Sequence, residues 1–197
     1  MQKDYTIIDN AVPNMLFTRL KDVFFNQPMG WFWLDSSAYE NKVSTYHYSF
    51  VNYPLTPSGD TWEPAYSLCC SALYAALGDH YQDINITRIR AGMHTAHSEN
   101  IINEPHVDQD DPHMVALLYL NDSDGPTYLH NNRYKKSYKE EQAKIYLKDI
   151  DLNQSIKVES KENRLVLFKG DIYHSSTKQT WPSKRVALNY NFLPKSP

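Results

Sequence analysis

Glu104-Pro-His-Val-Asp-Gln-Asp-Asp111 sets His106 and Asp108 two residues apart, and Lys169-Gly-Asp-Ile-Tyr-His-Ser-Ser176 sets His174 shortly after the apolar run Leu165-Val-Leu-Phe168. In a β-strand, residues i and i+2 point to the same face. His106 and Asp108 can therefore reach one ion from one strand end, while Val107 turns away into apolar packing. Two histidines and one carboxylate form the facial triad of non-haem Fe(II), which leaves three positions of an octahedral metal open. The third ligand must come from a strand remote in sequence, and His174 is placed to supply it. In a chain with eight histidines a His-x-Asp pair alone carries little weight. It could equally be a surface loop pair, with His174 an ordinary strand-end residue.

The strand after His174 adds weight. Arg185 lies eleven positions further on and opens Arg185-Val-Ala-Leu-Asn-Tyr-Asn-Phe-Leu193. As a strand, this run puts Arg185, Ala187, Asn189 and Asn191 on one face, a polar stripe on an otherwise apolar element. A buried arginine needs an anionic partner, and its planar fork suits a carboxylate. A metal triad beside a carboxylate-binding arginine is a constellation for 2-oxoglutarate. Met114-Val-Ala-Leu-Leu-Tyr-Leu120 reads as a strand buried on both faces. The hydroxyl of Tyr119 within it needs a partner, either an internal hydrogen bond or a bound carboxylate.

His106-Val-Asp108, Leu117-Leu-Tyr-Leu-Asn-Asp122, Asp124-Gly-Pro-Thr127, Arg164-Leu-Val-Leu-Phe168, His174 and Arg185 occur in this order. Together they resemble the Fe(II)/2-oxoglutarate-dependent oxygenases, in particular the prolyl-4-hydroxylase-like branch and its small phage-type relatives. The resemblance covers residues 84–193. It implies a mostly β fold with supporting helices, built on a double-stranded β-helix (jelly-roll or cupin-like) core with iron at one mouth. It further implies Fe(II) on His106, Asp108 and His174, the distal carboxylate of 2-oxoglutarate on Arg185 and Tyr119, and O2 as the third reactant. Arg90 falls where such enzymes carry another polar contact to the cosubstrate, and Asn189 or Asn191 would line the same pocket. Halogenating relatives leave the Asp108 position to a halide, so a carboxylate here points to hydroxylation of a C–H bond. The branch implies a peptidyl proline, but fold analogy does not fix a substrate. A free amino acid, a nucleobase or a small metabolite fits as well.

With 197 residues, 41% hydrophobic and 13% aromatic, the chain can build one well-cored domain. Residues 1–83 read as a scaffold of helix and strand, and 84–193 as the β-helix core, of a single domain spanning 1–197. A net charge of −3 offers nucleic acid no general attraction. Cys69 and Cys70 are adjacent, a poor geometry for a disulfide. No apolar signal segment opens the sequence and no run is long enough to span a bilayer. The expectation is a cytoplasmic protein (host cytoplasm if phage-encoded) that acts on a peptide, a protein or a small molecule. Oligomeric state is not legible.

Elsewhere the pattern predicts scaffolding. Tyr5–Ile8 reads as a short strand, and a helix begins at Pro13 with Val12, Leu16, Leu20, Val23 and Phe24 on its apolar side. Gly30-Trp-Phe-Trp-Leu34 reads as a buried strand with one exposed ring, and residues 43–53 as a strand with Tyr46, Tyr48 and Phe50 toward the core. Residues 62–78 read as a second helix stopped by Gly78. Strict alternation over 84–92 puts Ile84, Ile86, Arg88 and Arg90 on one face and Ile89 and Ala91 on the other. Two arginines there mean a solvated edge or, for Arg90, the barrel mouth. Residues 93–105 read as a loop with His94 and His97 at the surface, and His113 as a non-ligating neighbour of the triad. Asn121–Pro126 reads as a turn, and 131–151 as a solvated excursion, either a surface insertion or a lid.

Three other readings stay open at this point. One is a metal enzyme on a cupin-like barrel that does not use 2-oxoglutarate. Another is a non-catalytic cupin-like β-barrel that binds a partner or carbohydrate through its tyrosines. The third is a structural Zn(II) site, which prefers four closed and often cysteine-rich ligands.

Overall fold

Alternating apolar and polar residues build eleven strands among the described residues of the computed structural model, which are 4–35, 48–63, 65–81, 83–136 and 151–195. The strands are β1 (Tyr5–Ile8), β2 (Phe32–Leu34), β3 (Ser49–Leu55), β4 (Ile84–Thr95), β5 (Ile101–Ile102), β6 (Met114–Tyr119), β7 (Ser123–Arg133), β8 (Ile156–Ser160), β9 (Leu165–Lys169), β10 (Ile172–Lys178) and β11 (Lys184–Pro194). The helices are α1 (Asn14–Phe25) and α2 (Ala65–Leu77). A seven-stranded sheet has the order β1-β9-β6-β11-β4-β3-β2 and a four-stranded sheet the order β5-β10-β7-β8. Every pairing is antiparallel. The molecule is mostly β with two supporting helices, and the two sheets form the double-stranded β-helix that the sequence implied. No described helix is long and apolar enough to cross a membrane.

Strand alternation divides the core in two. Along β11, Val186, Leu188, Tyr190 and Phe192 pack against Phe17, Leu20 and Phe24 of α1 and Cys69, Leu73 and Ala76 of α2. Full burial of each large apolar side chain contributes about 1.5–3 kcal/mol, so the helices anchor the back of the large sheet. A second cluster lies between the sheets and joins Val115 and Tyr119 of β6 to Leu129, Val158, Val166, Phe168 and Ile172. Gly78 ends α2 with φ +58°, as its position predicts.

Four expectations need correction. First, β4 does not alternate strictly. Asn191 pairs with Arg88 and Phe192 with Ile86, which leaves Thr87 unmatched. One extra residue reverses the phase of the side chains. Ile84, Ile86, Ile89 and Ala91 all pack on the helix side, while Arg88 reaches Asp108 and Arg90 lines an interior cavity. Nor is β4 an edge, since β11 and β3 flank it, and it continues to Thr95, so His94 is a buried strand residue. Second, β2 is an edge strand with two exposed rings, Phe32 at 62% and Trp33 at 52%. Third, Ser123 to Pro126 belong to β7. Pro126 sits where the β7–β8 register shifts between the Ser123 and Thr127 pairings, so its missing N–H costs the ladder nothing. Fourth, Asn131–Arg133 continue β7. The expectations for residues 43–47, Tyr46 among them, and for 137–150 of the excursion lie outside the described residues.

Candidate metal centre

The metal-ligand geometry starts from one backbone contact. His106 N–H donates to the His174 carbonyl at 3.0 Å and His174 N–H to the His106 carbonyl at 2.9 Å, an isolated antiparallel bridge between the His106 segment and β10. The bridge sets the two imidazoles side by side, ring centres 4.5 Å apart. Two residues beyond His106, Asp108 returns to the same side, with Oδ2 3.9 Å from His174 Nε2. One ligand atom from each of His106, Asp108 and His174 lies within 4.8 Å of the other two. Among the described residues this is the one such grouping of His, Cys, Asp and Glu.

Both rings are oriented for ligation. His106 Nδ1 lies 3.2 Å from the Glu104 carbonyl and His174 Nδ1 3.2 Å from the Ile172 carbonyl. A carbonyl only accepts, so each Nδ1 carries the hydrogen and each Nε2 presents its lone pair. Burial, then the neighbouring His174, pushes the His106 pKa down to about 3, and burial lowers that of His174. Both imidazoles are neutral near neutral pH, the form that binds a metal.

Asp108 is held by three N–H donors. Arg88 Nη2 donates to Oδ1 at 2.7 Å, and Asn189 Nδ2 and Asn191 Nδ2 each donate to Oδ2 at 3.0 Å. Burial pushes its pKa up, but the guanidinium charge of Arg88 leads the opposing effects of its neighbours, and the carboxyl is held well below its ordinary value. Asn189 and Asn191 thus face the interior as predicted, yet both amides grip the carboxylate of the triad. Sequence reasoning missed Arg88, because the bulge at Thr87 leaves no mark in the alternation of apolar residues.

Deeper between the sheets, the cavity is lined by Arg90, His94, Leu117, Thr127, Phe168, Ser176 and Arg185. Arg185 is 3% exposed; its Nε donates to Ser160 Oγ at 2.8 Å and its Nη2 to Thr127 Oγ1 at 3.0 Å. Its guanidinium stands 5.3 Å from the centre of the Tyr119 ring. Burial lowers the pKa of Arg185 and raises that of Tyr119, whose phenol feels the arginine in the opposite sense. The arginine is therefore a buried cation among hydroxyls. A dianion whose far carboxylate met it would find the partner this charge lacks. Burial, then the charges of Arg185, Lys178 and Arg90, holds the His94 pKa well below its ordinary value, so His94 is a neutral wall. His97 is half-buried after β4. His113 packs against Gly170, its Nδ1 donating to the Asp111 carbonyl at 2.8 Å, and stays out of the ligand group.

No protein-family model and no curated protein matches this sequence. Solved structures do. A prolyl hydroxylase from Trichoplax adhaerens, in complex with a hypoxia inducible factor oxygen degradation domain peptide fragment, superposes with TM-score 0.60 at 14% identity over 98% of this chain and 84% of that one. A 2OG-Fe(II) oxygenase family oxidoreductase from Burkholderia pseudomallei gives 0.65 at 8% identity, over 98% and 86%. HygX from Streptomyces hygroscopicus, with nickel and 2-oxoglutarate bound, gives 0.57 at 12% identity, over 98% and 83%. Likeness at such identity speaks to architecture, and chemistry has to be argued from the site. The chain has the fold of the Fe(II)/2-oxoglutarate-dependent oxygenases, and a His-x-Asp and distal His triad stands at its centre.

Proposed function

We propose that this protein is an Fe(II)- and 2-oxoglutarate-dependent dioxygenase that hydroxylates a C–H bond. The observation that carries the reading is the convergence of His106, Asp108 and His174, with both Nε2 lone pairs free for one ion. Those three side chains would hold Fe(II). Arg185, with Tyr119 beside it, would receive the distal carboxylate of 2-oxoglutarate. When bound, iron and cosubstrate supply an oxidant from O2 that replaces a substrate C–H by C–OH, with succinate and carbon dioxide as co-products.

The chain's own residues bind, orient and exclude. Arg88, Asn189 and Asn191 fix the Asp108 carboxylate before the metal arrives. Leu117, Phe168 and Ala187 give the cavity apolar walls, which keep water from reactive groups. A peptidyl proline is the first substrate to test, supported by the prolyl hydroxylase whose complex holds a peptide.

The test is an anaerobic titration with Fe(II) and then 2-oxoglutarate, read as a visible charge-transfer band, followed by succinate release over a peptide panel. His174→Ala should abolish the band. Arg185→Ala should weaken 2-oxoglutarate binding more than iron binding, and an unchanged affinity for 2-oxoglutarate would remove Arg185 from its role. Stoichiometric iron binding with no band would favour a metal enzyme that does without this cosubstrate.

A further inference from the structure

We infer that the substrate carries a carboxylate and that Arg90 receives it beside the metal centre, an inference that rests on the oxygenase reading above. The first ground is a charge inventory. Among the described residues, four cations stand in or beside the interior between the sheets, Arg88, Arg90, Arg185 and Lys178, and none of those lining the cavity is acidic. Arg88 is matched by Asp108. Ferrous ion and the 2-oxoglutarate dianion cancel each other. Lys178 is set apart beneath the Tyr48 ring, its Nζ 3.3 Å from the ring centre, where the ring face offsets its charge. Arg90 and Arg185 remain, and neither loses its proton at working pH. The loaded site is still short of negative charge, and a buried cation without an anion is costly.

Position assigns the missing anion to Arg90. In the β4–β11 register Arg90 lies opposite Asn189, which itself grips Asp108. Arg185 lies opposite His94, four residues further along β4, or about 13 Å at strand rise. Arg90 therefore stands at the level of the metal ligands and Arg185 at the far end of the cavity. Arg90 Nε is buried without a hydrogen-bond partner, while the Asp108 carboxylate and the Tyr53 hydroxyl of β3 favour its charge. A guanidinium with a buried, unused Nε–H, held by strand pairing, suits a carboxylate approached edge-on. The resemblance gives Arg90 to the cosubstrate instead, and the experiment separates the two.

The full chain is loaded anaerobically with Fe(II) and 2-oxoglutarate. N-acetylglycine and its neutral counterpart N-acetylglycinamide are then titrated in by calorimetry and by perturbation of the charge-transfer band. The acid should bind at least about tenfold more tightly than the amide. Arg90→Gln should erase that preference while 2-oxoglutarate still gives the band at unchanged affinity. Arg90→Lys, which keeps the charge without the fork, should retain part of the preference, and the band in each variant reports an intact site. Equal binding of acid and amide, or binding of neither, overturns the inference. So does an Arg90→Gln chain that loses about tenfold or more in 2-oxoglutarate affinity, which would place Arg90 on the cosubstrate. A wild-type chain that gives no band refutes the oxygenase reading itself and takes this inference with it.

Discussion

Asn189 and Asn191 spend both their amides on one oxygen of Asp108, while Arg88 takes the other. The arrangement fixes the carboxylate's orientation before any ion arrives, which lowers the ordering cost of ligation. Removing one outer donor commonly costs ten- to a hundredfold in metal affinity. Asn191→Ala should weaken Fe(II) binding by about tenfold and leave 2-oxoglutarate affinity nearly unchanged, as measured by titration of metal and then cosubstrate. Equal losses for both would mean that Asn191 serves the cavity rather than Asp108. At this scale the sequence was informative where chemistry is carried by residue type and spacing. The convergence of His106, Asp108 and His174 could be read from a His-x-Asp and a distal histidine, and Arg185 could be placed on the interior face from an alternating polar stripe. The amides of Asn189 and Asn191 could be placed on a face but not on a partner, since an amide suits a carboxylate and a cosubstrate equally well.

At the level of elements, what places His174 is the packing of β10 against β7. Gly125 of β7 approaches the β10 side so closely that a Cβ added there would stand 2.6 Å from the Thr177 carbonyl oxygen and 3.1 Å from Gln179 Cβ. The oxygen belongs to backbone and has no rotamer to move to. Gly125→Ala should therefore cost about 1–3 kcal/mol by overpacking, seen as a lowered thermal midpoint, with weaker metal binding as β10 shifts. An alanine variant as stable as wild type would show that the two strands can separate without penalty. The apolar runs of β6, β9 and β11 made those strands legible, because burial on both faces or on alternate residues writes itself into composition. β4 was legible as a strand and misread in phase. A bulge is a matter of pairing, settled by which residue of β11 meets which of β4, and Thr87 carries no feature that announces it.

For the whole molecule, the consequence is acid sensitivity. His94, His106, His130 and His174 are all buried, and burial is the leading cause of a lowered pKa in each. His106 falls to about 3 and His130 to about 4, against an ordinary value of 6.5. Below 6.5 the unfolded chain takes up protons on these rings while the folded chain refuses them until it reaches the depressed values. The unfolded state then binds more protons, so stability is full above that point and falls as pH drops through the window. The slope is about 1.4 kcal/mol per pH unit for each histidine that titrates only when unfolded. Thermal midpoints of the metal-free chain should fall steadily from pH 7 to pH 5. His130 supplies a check because it sits between hydroxyls, with Nδ1 2.8 Å from Ser155 Oγ and Nε2 2.9 Å from Ser175 Oγ, and is no member of the ligand group. His130→Gln keeps a polar side chain at that site and has no proton to gain, so it should flatten the pH slope by one histidine's share while metal binding at neutral pH persists. A midpoint that does not move with pH in wild type, or a slope that His130→Gln leaves intact, would show that these rings take up protons without unfolding the chain.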